Sequence, residues 1–169
     1  MKYLIKSMPI LLSAVLLVAC VGRGRQQGGD FLSYMQHLDS VVGRAELDGV
    51  SYELVFSIGG EGRVIELTAP ESVAGMKFIE QTDGYIVRYG DFSTHFAGCE
   101  LCDRLVALFS LSEGDVIATG VERASGRSIT KIDLTEGRTV RLSSEGELLM
   151  LSDGVLTFFA ITSLRGNDD

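Results

Sequence analysis

Ser51-Tyr52-Glu53-Leu54-Val55-Phe56-Ser57-Ile58 is the stretch on which the fold turns. Tyr52, Leu54, Phe56 and Ile58 fall on one side of an extended chain, and Ser51, Glu53, Val55 and Ser57 on the other. A period of two belongs to a strand with one face on a core. The alternation recurs at Tyr85, Val87 and Tyr89, at Phe92, Thr94 and Phe96, and at Thr130, Ile132 and Leu134. It returns at Val140 and Leu142, and at Val155, Thr157, Phe159 and Ile161. Turn signals stand between the runs. Asp48-Gly49, Asp83-Gly84 and Asp153-Gly154 are the strong ones, because glycine accepts the positive φ of a tight hairpin turn. Glu61-Gly62, Glu113-Gly114, Glu136-Gly137 and Glu145-Gly146 are weaker versions. Beyond the first twenty residues Pro70 is the one proline, so ladder hydrogen bonding is barely interrupted.

Two stretches depart from this period. From Asp30 to Leu38, Phe31, Tyr34, Met35 and Leu38 fall at helical spacing behind Asp30, a suitable N-cap. From Cys102 to Leu111, Leu105, Leu108 and the Phe109–Leu111 end form a second apolar stripe. The expected fold is mainly β: a strongly curved antiparallel sheet, a half-barrel, of about ten strands, capped by an N-terminal and a mid-chain helix. No Gly- or Pro-rich seam follows Asp30, so residues 30–165 are expected to form a single domain, with 166–169 a short tail.

Composition agrees. The 169 residues are 46% hydrophobic with a net charge of −8, too apolar for disorder and without the periodicity of collagen or a coiled coil. A chain of this length buries roughly two-thirds of its unfolded surface. The acidic balance excludes nucleic acid, whose phosphates demand a basic stripe.

The first residues read as an address. Lys2 and Lys6 precede an apolar run from Met8 to Val21, 14 residues, short of the roughly 20 that a membrane-spanning helix needs. Leu17-Val18-Ala19-Cys20 resembles the lipobox of bacterial lipoproteins. That resemblance implies cleavage after residue 19, a diacylglyceryl group on the Cys20 thiol and an anchor on the extracytoplasmic face of a bacterial cell membrane. Removing 1–19 leaves 13 basic against 23 acidic residues, a net charge of −10. Residues 20–29, with Arg23, Arg25 and four glycines, have the composition of a flexible tether.

The stretch Thr68-Ala69-Pro70-Glu71-Ser72-Val73-Ala74-Gly75-Met76-Lys77-Phe78, with Asp83-Gly84 and Tyr89-Gly90-Asp91-Phe92, resembles the lipoprotein-carrier (Lol-type) half-barrel superfamily. It is similar in particular to uncharacterised lipoproteins of Gram-positive bacteria. The order of elements agrees from about Phe31 to Leu164. The resemblance implies a concave face that takes acyl chains or other apolar ligands. It supplies no catalytic residues and no cofactor.

Side chains able to carry chemistry are few. Cys99-Glu100-Leu101-Cys102, with His95 nearby, admits a local disulfide or unreactive thiols, a redox pair, or half a metal site. A thioredoxin-like motif would need a βαβ context, a haem motif would need histidine where Asp103 stands, and His37 is the only other histidine. No serine lies in G-x-S-x-G, and Gly59-Gly60-Glu61-Gly62 lacks the Lys-Ser/Thr of a phosphate loop. An enzyme is not expected, nor a metal. Apolar surface remains: Tyr52, Leu54, Phe56, Phe78, Tyr85, Val87, Tyr89, Phe92, Phe96 and Phe159 are the expected inward positions. They either fill the core or line a partly open face. Two functions follow as alternatives to the Cys99/Cys102 chemistry: an anchored, non-enzymatic lipoprotein binding an acyl chain or lipid-like ligand, or an envelope scaffold that recruits another protein.

Overall fold

Paired residues of positive φ turn the chain at Asp48-Gly49, as expected, and at Ser125-Gly126, a turn that the sequence reading did not single out. Asp48 and Gly49 (φ 50° and 78°) join the first two strands, and Ser125 and Gly126 (φ 51° and 77°) make the same turn later. The computed structural model describes residues 31–165. The leader, Cys20, the tether and the 166–169 tail lie outside the described residues.

Residues 31–36 form a helix, α1. Six strands follow: β1 (Leu38–Leu47), β2 (Val50–Gly59), β3 (Gly62–Ala69), β4 (Lys77–Gln81), β5 (Gly84–Tyr89) and β6 (Phe92–Phe96). Helix α2 (Glu100–Phe109) leads to β7 (Val116–Ala124), β8 (Arg127–Leu134), β9 (Thr139–Leu142), β10 (Leu148–Ser152) and β11 (Leu156–Arg165). All eleven strands join in a single curved, open antiparallel sheet in the order β6-β5-β4-β3-β2-β1-β11-β10-β9-β8-β7. The first and last strands therefore lie side by side in the middle, and α2 links the two outer edges, β6 and β7.

The alternation of β2 sets the inner face. Tyr52 pairs with Ala45 and Phe56 with Val41 on β1, Leu54 with Leu67 and Phe56 with Ile65 on β3. Across the centre, Ala45 faces Phe158, which faces Leu151, which faces Val140. Helix α2 fills this face. The Phe109 ring stacks on Phe56 at 4.2 Å and meets Phe158 edge-on at 5.3 Å. Leu101, Cys102, Leu105 and Leu108 are buried beside them, as are Phe31, Leu32, Tyr34 and Met35 of α1. Each large apolar side chain so covered contributes about 1.5–3 kcal/mol. Gly43 is required here, since a Cβ on it would collide with the Phe158 ring and the Phe159 carbonyl.

Two polar clamps fix α2 and the segment after it. Arg104 bonds Asp153 in the β10–β11 turn at 2.8 Å and Glu100 at 3.1 Å. Asp115 accepts bonds from the Ser112 N–H and hydroxyl, from Thr135 and from Arg138, at 2.8 to 2.9 Å. These bonds, the Ser112 hydroxyl foremost, hold the Asp115 carboxyl down at about 2.

The sequence expectation needs three corrections. Helix α2 begins at Glu100, not Cys102, because Cys99 caps it: its Sγ accepts the Cys102 N–H. Leu38 opens β1 instead of closing α1, since Val41, Ala45 and Leu47 continue the buried side of an extended chain. Phe159 lies on the outer face, with the Arg44 guanidinium 5.4 Å above its ring. The inward aromatic of β11 is Phe158.

Candidate functional site

The inner face is unevenly covered. Phe56 and Leu54 are fully buried under α2, and Tyr85 and Val87 on β5 are also buried. Tyr85 donates its hydroxyl proton to Asp103 Oδ1 at 2.8 Å. Burial, then that bond, raises the phenol above its ordinary range. This bond ties the start of α2 to one end of β5.

The other end of β5 is open. Tyr89 pairs with Phe92 across the β5–β6 hairpin, and Val87 with Thr94 and Tyr85 with Phe96. Opposed residues of an antiparallel pair share a face, so Phe92 and Phe96 lie on the helix-bearing side of the sheet. Tyr89 is 48% exposed, Phe92 66% and Phe96 51%. Inward from them are Phe78, paired with Val87 and 6.5 Å edge-on from the Tyr85 ring, and Tyr52. Both are half-buried and packed against the core. The turn at 70–76, which begins at a cis Ala69–Pro70 bond, borders this sector. A Cβ on its Gly75 would lie 3.9 Å from the Tyr89 ring. Val73 and Met76 of the same turn are half-buried against the core. The result is an aromatic shelf of Phe78, Tyr89 and Phe92 at the open end of β5, with Tyr52 on the same face three strands away.

Of the ten residues expected to face inward, nine share the inner face and one, Phe159, does not. Four of the nine, Leu54, Phe56, Tyr85 and Val87, are core and closed to a ligand. Sequence reasoning missed Phe109 and Phe158, which close the centre of the face. Phe109 stood in the helical stripe, and the Phe158-Phe159 pair was readable only in the wrong phase.

Cys99 and Cys102 are joined in a disulfide. His95 is placed on the outer side of β6, where Nε2 approaches Asp83 Oδ1 at 3.3 Å, and His37 Nδ1 bonds the Ser33 carbonyl at 2.7 Å. A second concavity, of about 700 Å³, lies at the β7–β8 and β9–β10 turns. Its wall mixes Arg127, Ser128, Glu145 and Glu147 with Ile129 and Leu149 and has no aromatic ring, unlike the shelf. Among the described residues no helix is long and apolar enough to cross a membrane.

No protein-family model matches the sequence, and no curated protein matches it. Among solved structures the chain is similar to lipoprotein LppX of Mycobacterium tuberculosis, at 16% identity and a TM-score of 0.44, over 85% of this chain and 95% of that one. LprF of Mycobacterium bovis gives 12% and 0.43 over 85% and 95%. A LolA-superfamily protein of Nitrosomonas europaea gives 11% and 0.36 over 84% and 94%.

Proposed function

We propose that this chain is an extracytoplasmic lipoprotein, anchored through Cys20, that holds an acyl chain or similar apolar ligand on the aromatic shelf. One observation carries the reading: Tyr89 and Phe92 stand 48% and 66% exposed on the same sheet face as the buried core. Large side chains paired across a hairpin on one face and left uncovered mark a surface meant to be covered. The shelf offers flat aromatic area beside the half-buried Phe78, and a methylene chain laid on it gains about 0.8 kcal/mol for each CH₂ removed from water.

Native mass spectrometry on delipidated protein mixed with fatty acids and phospholipids tests this. One bound acyl ligand is expected. Phe92→Asp should weaken capture by about tenfold or more, the equivalent of losing one aromatic contact. A wild-type spectrum free of adducts under all conditions overturns the ligand. Labelling with a palmitate analogue tests the anchor: it should disappear in Cys20→Ala, and equal labelling of the variant overturns the tether.

A second reading, an envelope scaffold, draws support from the sheet edges. β6 and β7 each have a single strand neighbour, and Ile117 and Val121 on β7 are both exposed. An unpaired edge can accept a partner's strand. A partner recovered from membranes that is lost on Val121→Lys would favour it.

A further inference from the structure

The disulfide at the start of α2 is built asymmetrically. Cys102 is fully buried in the core cluster. Cys99 is half-buried at the surface, between the exposed Ala97-Gly98 and the exposed Glu100. Cys99 Sγ accepts the Cys102 N–H at 3.3 Å, and the Cys99 N–H is held by Asp103 Oδ2 at 3.4 Å. β6, the edge strand that runs into this segment, leaves one side of its backbone unpaired, so an extended partner segment can lie beside it and reach Cys99. Cys99 is partly buried against the core while Cys102 is wholly enclosed, so of the two sulfurs Cys99 is the one within a partner's reach.

We infer that Cys99–Cys102 is a thiol–disulfide exchange site, with Cys99 the sulfur that a partner protein's dithiol attacks. In the first step the partner's thiolate forms a bond to Cys99 Sγ, the Cys99–Cys102 bond breaks, and the electron pair leaves on Cys102, which takes a proton. In the second the partner's other thiolate attacks the mixed disulfide, so that the partner departs as a disulfide. This chain keeps two thiols, the Cys99 sulfur then being protonated or held as thiolate. Two electrons pass from the partner's dithiol to this chain, and run in reverse the same steps oxidise the partner. The helix start favours charge on Cys99 through the Cys102 N–H, while Glu100 and Asp103, both in the first turn of α2, oppose it.

The test uses the full chain, with peptide mass mapping to separate Cys20 from the pair. Millimolar dithiothreitol in native buffer should reduce the bond while circular dichroism stays folded. A short pulse of iodoacetamide should then label Cys99 about tenfold or more ahead of Cys102, as their exposure requires. Glutathione disulfide should likewise trap Cys102→Ser as a mixed disulfide at Cys99 far faster than it modifies Cys102 in Cys99→Ser. Reduction only in denaturant, or equal labelling of the two sulfurs in reduced wild-type protein, overturns the inference. The wild-type pulse decides the matter even where a serine variant fails to fold, and neither result depends on the lipid reading of the shelf.

Discussion

The two wings of the sheet, β2–β6 and β7–β10, share hairpin connections and an antiparallel ladder but not their chemistry. The first carries Tyr52, Phe56, Phe78, Tyr85, Tyr89, Phe92 and Phe96 on its inner face. The second has no aromatic residue anywhere from Leu111 to Ser152. Its inner positions are aliphatic, with Ile132, Leu134, Val140, Leu142 and Leu151 buried. It is secured to the helix and its following loop by ions: Arg138 bonds both Asp115 and the Ala107 carbonyl. The buried part of the second wing is closed by branched aliphatic side chains, and only its edge strand β7 leaves Ile117 and Val121 exposed, whereas the first wing leaves aromatic rings uncovered at the β5–β6 hairpin. The wings thus differ in the kind of apolar surface that they leave open.

Three substitutions probe that division, in descending order of effect on stability. Phe158 sits where the wings meet, under Phe109 and over Gly43. Phe158→Ala should lower unfolding free energy by about 3–5 kcal/mol in urea titrations, the usual cost of emptying a large core site; a loss under about 1 kcal/mol would show that α2 does not bind the wings together. Asp115→Asn should cost about 1–2 kcal/mol near neutral pH through weakened bonds to Ser112, Thr135 and Arg138. It should also change the acid limb. The Asp115 carboxyl lies at about 2 when folded against an ordinary 3.8, so its contribution is present above the ordinary value and drains away as pH falls toward 2. The wild type should lose stability across that window, and the variant should lack this component; parallel acid profiles would remove Asp115 from the clamp. Phe92→Ser should leave stability within about 0.5 kcal/mol while acyl-ligand capture falls. Equal loss of stability here and at Phe158 would erase the contrast between the wings.

Much of the fold was legible because β2 alternates cleanly and Asp48-Gly49 sits at the β1–β2 turn, although Gly84 opens β5 opposite Gln81 and leaves that turn to Thr82-Asp83. The central strands were harder for a physical reason. In β11 both alternating series are apolar, Leu156-Phe158-Ala160 against Val155-Thr157-Phe159-Ile161, so period two cannot choose the inner face. A bulge between Val42 and Gly43 against Ala160 and Thr162 breaks the phase further. β1 was hidden by Gly43 and Ala45, small because Phe158 occupies the space above them. The shelf was legible as a set of aromatic positions, but not which of them remain open. That depends on how far α2 reaches, and a one-dimensional pattern carries no record of reach.

The central pairing of β1 with β11 also imposes an order on assembly. Leu47 meets Leu156 and Leu38 meets Arg165, so the middle of the sheet closes a loop of more than a hundred residues, and long closures form slowly. As the chain is made or exported from its N-terminal end, β1–β6 emerge first with the inner edge of β1 bare. Until β11 arrives, that edge of β1 has no strand to pair with.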